Sequence, residues 1–242
     1  MRRATWLPLL AIALAGPVAA KRPQLRFASP AAIVAAEVAL SQLAQRKGRW
    51  AAYRTTADEN AVLFVPQRVV ARAWLKKIAE PTRKIAWQPY QVWLSCDGSL
   101  AATYGAWQRS DGSSGYFTTV WRRQPKGDYK WVVSQGEPLA EPLQAPAMIG
   151  SKVATCARAG AQPFAPPTER LPVKATATSG SGSSGGSDDG TLTWAVVLDS
   201  HCSRMLTINL LTKPDQPIEA VMQKRVAAPV GADGQPSEAC PA

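Results

Sequence analysis

An α+β fold, with helices packed on a curved antiparallel β-sheet as a cone, is predicted for the first half of this 242-residue chain. Three observations predict it. Apolar residues between positions 29 and 79 recur at helical spacing. Residues 85–135 then form four runs rich in Trp, Tyr, Val and Thr, which suit a pleated, half-buried surface. The breaks between these runs carry Asp97-Gly98, Asp111-Gly112 and Gly127-Asp128, with the glycines 14 and 15 residues apart. That is the turn chemistry and spacing of a meander of long strands. Helices first and hairpins after is the α+β order.

Residues 1–20 read as a secretory signal peptide. Arg2-Arg3 is a positive head, Trp6 to Ala15 an apolar run, Gly16-Pro17 a breaker, and Val18-Ala19-Ala20 a small-residue cleavage region. The run is shorter than the roughly 20 apolar residues that a membrane anchor needs. A periplasmic or secreted protein is therefore expected. Cleavage after Ala20 would lower the formal charge from +11 to +9.

Residues 29–48 form the first expected helix. Ser29 is a capping residue, Pro30 suits the first helical position, and Gly48 suits the stop. Ile33, Ala36, Leu40, Leu43 and Ala44 share one face. A short helix follows over Trp50 to Thr56, then a strand over Ala61 to Val65, closed by Pro66. A third helix is expected over 67–79, where Val70, Trp74 and Ile78 fall at i, i+4 and i+8.

The strands are Ile85 to Ser95, Leu100 to Gln108, Gly115 to Gln124 and Tyr129 to Gln135. The cone domain thus spans 29–140. Residues 141–190 read as a linker or a long mobile hairpin loop, with Pro142, Pro146, Pro163, Pro166, Pro167 and Pro172 ahead of a Gly/Ser tract. Residues 191–242 read as a small β appendage, with strands at Thr191 to Leu198, Met205 to Thr212 and Ile218 to Val226, followed by a loose tail. Alone it would have a thin core.

The basic residues are scattered, the densest groups being Lys76-Lys77 with Arg83-Lys84, and Arg122-Arg123 with Lys126 and Lys130. For an exported chain this pattern points to anionic surfaces and not to nucleic acid. The four cysteines, Cys96, Cys156, Cys202 and Cys240, allow three pairings. Cys156 with Cys202 is the expected one, since it would staple the smaller module. No CxxC pair occurs and His201, beside Cys202 in an expected turn, is the only histidine, so no metal site is expected. Neither a phosphate loop nor a nucleophile elbow is present, and no cofactor is expected.

The stretches ADENAVLFVP (57–66), AWLKKI (73–78), IAWQPYQVWLSCDGSLAATYGAW (85–107), GYFTTVWRRQ (115–124) and YKWVVSQGEPL (129–139) resemble exported bacterial members of the SnoaL-like branch of the nuclear-transport-factor-two-like, ketosteroid-isomerase-like fold. The resemblance covers roughly residues 30 to 140. It implies a conical cavity between the curled sheet and the helices, and pairing of two cones through the outer sheet face. It does not select a function, because this fold hosts isomerases, cyclases, dehydratases, hydrolases and non-catalytic proteins.

Candidate wall residues of such a cavity are Trp74, Trp87, Trp93, Trp107, Tyr116, Trp121, Trp131 and Gln135. Core packing is the simpler role of any one of them. The resemblance implies an Asp or His base with a Tyr or Asp donor, yet no histidine falls between 21 and 200. Glu37, flanking the apolar face of the first helix, and Asp58 with Tyr53 remain as catalytic candidates. Burial of Glu37 would raise its pKa, as a base in a dry cavity needs. Three functions stay open: an envelope protein that binds a small apolar ligand without catalysis, an enzyme moving a proton on a cyclic substrate, and a structural envelope protein.

Overall fold

The computed structural model describes residues 28–156 and 182–230. The expected signal peptide, the centre of the expected linker and the end of the tail lie outside the described residues. Pro30 opens helix α1 (Pro30–Lys47), and Gly48, at φ 96°, ends it with its N–H on the Ala44 carbonyl. The buried face of α1 is Ile33, Glu37, Leu40, Ser41 and Ala44, so a carboxylate sits in the middle of the apolar stripe. Helix α2 (Arg49–Thr56) follows at once.

Strand β1 (Ala57–Phe64) is longer than expected and pairs antiparallel with β2 (Arg68–Val70). The expected helix 67–79 is thereby split, and only α3 (Ala71–Leu75) is helical. The cause is local. Val69 and Val70 are β-branched and follow a tight turn, which puts Val70 opposite Val62 and lets the ladder win over the helix.

The meander forms as its turns dictate: β3 (Ile85–Leu94), β4 (Leu100–Arg109), β5 (Ser114–Arg123) and β6 (Tyr129–Leu139). Gly98, Gly112 and Gly127 all take positive φ, the conformation for which the turns need glycine. Strand β7 (Gly150–Val153) adds in parallel to β3, and β1 pairs in parallel with β6. The seven-stranded order is β2-β1-β6-β5-β4-β3-β7.

The C-terminal part is a second sheet of β8 (Ser183–Gly186), β9 (Leu192–Leu198), β10 (Arg204–Leu210) and β11 (Glu219–Val226), ordered β11-β10-β9-β8. Four residues of the Gly/Ser tract expected to be a linker are thus an edge strand. The appendage overcomes its thin core by borrowing one. Leu192, Trp194, Leu206, Ile208 and Leu210 pack with Val62, Phe64, Trp93, Leu100, Val120 and Val133 from the outer face of the large sheet. Each such side chain, fully buried, contributes about 1.5–3 kcal/mol. The large sheet therefore lies between two cores, with α1, α2 and α3 on its concave side.

The two sheets also share a turn motif. Residues 95–100 read SCDGSL and residues 187–192 read SDDGTL. In each, the serine hydroxyl donates to the aspartate (both 2.7 Å) and accepts the leucine N–H (both 3.1 Å). The turns dock reciprocally: Cys96 N–H donates to Thr191 Oγ1 and Asp188 N–H to Ser99 Oγ, both at 2.9 Å. Second position meets fifth in both directions, which is the pattern of a two-fold contact. The second sheet thus covers the face through which the resemblance implied that two cones would pair.

The disulfide is Cys96–Cys156, not Cys156–Cys202. Parallel pairing of β3 with β7 sets Leu94 beside Val153, so the residues just after each strand meet, with 5.1 Å between the cysteine Cα atoms. Cys202 is disulfide-bonded as well. Among the described residues no helix is long and apolar enough to cross a membrane.

Candidate functional site

Helical spacing points Glu37 from α1 into the hollow of the sheet, where its side chain is 0% exposed. It is the one buried charged residue among those described. Three strands supply donors. Trp87 Nε1 on β3 donates to Oε1 at 2.7 Å. Thr103 Oγ1 on β4 and Trp121 Nε1 on β5 donate to Oε2 at 2.5 and 3.1 Å. Trp121 Nε1 also reaches Thr103 Oγ1 at 3.2 Å. Burial pushes the Glu37 pKa above its ordinary 4.5, opposed by the bonds from Thr103, Trp87 and Trp121.

Aromatic side chains lead inward to this carboxyl. Trp74 and Trp50, both half-buried, meet edge to face at 6.0 Å between centroids. Trp50 touches Tyr53 at 6.1 Å, and Tyr53 lies 6.0 Å from Trp87 and 5.3 Å from Trp131. The Tyr53 hydroxyl bonds Ser134 Oγ at 3.3 Å, and Ser134 Oγ bonds Thr119 Oγ1 at 3.2 Å. The Tyr53 phenol is pushed up to about 12, first by burial and then by the negative charge of Glu37. Trp131 Nε1 donates to the Tyr53 carbonyl at 2.9 Å, and Trp107 Nε1 to the Tyr116 carbonyl at 3.0 Å.

The structure brings together Glu37, Tyr53, Trp74, Trp87, Trp107, Trp121 and Trp131 on the concave side. It does not bring in the other four candidates. Trp93 lies in the core between the two sheets, because a bulge between Pro89 and Gln91 reverses the alternation that Trp87 begins. A second bulge, between Trp131 and Val133, does the same on β6. Gln135 thereby faces the second sheet, where it accepts from Arg204 Nε at 3.1 Å and donates to the Lys224 carbonyl. Tyr116 has the opposite parity to Phe117 and Trp121, and its hydroxyl donates to the Arg225 carbonyl. Asp58 is taken up by Gln124 Nε2 and the Asn60 N–H, both at 3.0 Å, so the suggested pairing with Tyr53 has no counterpart.

Sequence reasoning missed Thr103 as a partner of Glu37 and Trp50 as the outer aromatic. The signal for Thr103 was present: a hydroxyl residue on the same strand face as Trp107, in line with an apolar stripe. Among the described residues no group of three or more His, Cys, Asp or Glu is placed to hold a metal ion. Chemically, the site is a buried carboxyl enclosed by aromatic side chains and engaged by the protein's own donors.

No protein-family model matches the chain, and no curated protein matches it. Solved structures similar to it include a candidate ketosteroid isomerase from Parabacteroides distasonis ATCC 8503, 16% identical, covering 48% of this chain and 98% of that one, with a TM-score of 0.38. A candidate aromatic ring hydroxylase from Novosphingobium aromaticivorans is 16% identical over 47% of this chain and 90% of its own, TM-score 0.33. ActVI-ORFA from Streptomyces coelicolor is 18% identical over 45% and 95%, TM-score 0.32. The chain's own topology is what decides: two helices, a strand parallel to the last strand of a four-stranded meander, and a short helix closing the hollow. By that topology, residues 30–139 are an α+β cone, with helices packed on a curved β-sheet.

Proposed function

We propose that this is a non-catalytic binding protein of the bacterial envelope, which takes a small apolar, ring-bearing ligand against the aromatic side chains of its cone. One observation carries the reading. Glu37, the single buried carboxyl among the described residues, is already engaged by three donors of the protein itself. A general base must be within hydrogen-bond reach of the proton it takes, and this one is enclosed. The half-buried Trp50 and Trp74 and the Tyr53 ring behind them supply the apolar, partly open surface that ring-shaped ligands favour. The Cys96–Cys156 disulfide supports an oxidising compartment.

Native mass spectrometry of the purified chain, compared with its denatured mass, tests this. A co-purifying small molecule that Trp50→Ala and Trp74→Ala release would support it. A clean polypeptide mass, with no binding of ring-bearing probes, would sink it in favour of the structural reading. The raised pKa of Glu37 favours one rival, a proton-transfer enzyme using Glu37 as base. That rival predicts uptake of solvent deuterium into a cyclic ketone, abolished in Glu37→Gln.

A further inference from the structure

A cleft of about 300 Å³ opens where the end of β4 meets the start of α2 and the loop before β3, lined by Arg49, Pro81, Thr82, Arg83 and Arg109. A second of about 210 Å³ adjoins it, adding Arg46 and Lys84. Neither cleft is lined by an acid. Two carboxylates, Glu80 and Asp111, stand beside the cleft, and a ligand oxyanion on Arg83 would displace the exposed, weak pair that Asp111 makes with it. Glu80 accepts the N–H groups of Trp50 and Ala51 at the start of α2. Asp111 pairs with Arg83 at 2.9 Å, and its other oxygen takes Ser113.

Two of the arginines are held on aromatic platforms. The Arg49 guanidinium lies 4.0 Å from the Trp50 ring centroid, and Arg109 lies 4.6 Å from that of Trp107. Stacking fixes the plane and leaves the N–H edges to bond in that plane, the geometry that grips oxyanions in pairs. Arg49 Nε is shielded from solvent and has no partner, a state that costs free energy until an acceptor arrives. The Arg109 Nη1 has a long 3.4 Å contact to Ser113 Oγ. Burial holds the Arg49 pKa below its ordinary value; Tyr53 and Glu80 oppose the depression and the charge of Arg109 adds to it, so the two cations repel each other. An anion between them would relieve both effects.

We propose that this cleft binds the phosphate group of an anionic ligand, with Arg109 and Arg83 as its accessible grips and Arg49 as the fixed cation behind them. The site shares Trp50 and Trp107 with the rim of the aromatic cone, as platforms for its arginines, but does not depend on that cone binding a ring. Phosphate could come from a free ester or from a lipid headgroup, and the test separates the two. Inorganic pyrophosphate would be titrated calorimetrically at low ionic strength. Phosphatidylglycerol vesicles would be tested by flotation in parallel. Arg83→Gln and Arg109→Gln would be compared with Lys213→Gln, which removes the same charge from an exposed site in the connection between β10 and β11. Each lost charged hydrogen bond predicts about tenfold weaker binding. Arg83 is 71% exposed at its side chain, so its variant folds even where Arg109→Gln does not. Pyrophosphate binding that both cleft variants weaken and Lys213→Gln does not supports the site with a soluble phosphate. Vesicle binding alone, with the same pattern, supports it with a headgroup. Binding of neither probe, or equal weakening by Lys213→Gln, overturns it.

Discussion

Removing Glu37 is the perturbation most sharply defined by the structure. In Glu37→Ala, Trp121 Nε1 keeps Thr103 Oγ1 at 3.2 Å, and the Thr103 hydroxyl can turn to the Thr119 carbonyl at 3.3 Å. Trp87 Nε1 alone is orphaned, at a cost of about 1–3 kcal/mol. The lost side-chain packing adds about 1–2 kcal/mol. A total near 3 kcal/mol lowers the melting temperature by about 6–12 °C for a chain of this size. Glu37→Gln should cost only about 1 kcal/mol. Its carbonyl accepts from Trp87, and its amide donates to Thr103, whose hydroxyl then donates to Thr119. The pH dependence follows from the raised pKa. The folded carboxyl keeps its proton at pH values where the unfolded one, near 4.5, has lost it. Its contribution to stability is therefore fully present below 4.5 and declines as pH rises through the folded pKa. The gap between the parent and Glu37→Gln should narrow as pH rises above 4.5. Thermal melts followed by circular dichroism across that range measure it. A gap that stays constant or widens, or a Gln variant as unstable as the Ala variant, would refute the reasoning.

Three further outcomes are expected. The Cys96–Cys156 bond closes a loop of 60 residues, so Cys156→Ser should cost about 4 kcal/mol by the loop-entropy relation, read from denaturant melts, and peptide mapping should recover Cys96 joined to Cys156. The second sheet already covers the outer face of the cone, so light scattering should give a monomer; Ile208→Asp, charging a side chain with 0% exposure, should open that face and produce dimers or aggregates, and a dimeric parent would contradict this. At Gly115 an added Cβ would stand 2.1 Å from the Glu137 carbonyl and 2.4 Å from the Trp107 ring; Gly115→Ala should destabilise by at least about 3 kcal/mol, and a melt within 2 °C of the parent, about 1 kcal/mol or less, would count against that close approach.

Local chemistry in the chain decided the fold class, the turns and the one chemically distinctive residue. The positive-φ glycines at 98, 112 and 127 are required by tight turns, whose preferences act over only a few residues. Glu37 was legible for the same reason, since a carboxylate between Ile33 and Leu40 on a helical face must be buried or sit at its rim. Only the tertiary structure decided which strand face each aromatic occupies. A single bulge reverses parity, and neither the one near Pro89 nor the one near Val132 has a local signature strong enough to place it. The disulfide and the role of the second sheet depended on pairings between segments far apart in sequence. Cys96 meets Cys156 because β7 joins β3 in parallel, and the thin β appendage is stable because the outer face of the cone supplies the other half of its core. Contacts of that kind are set by which surfaces remain uncovered once the first domain has formed, a property that no stretch of sequence carries alone.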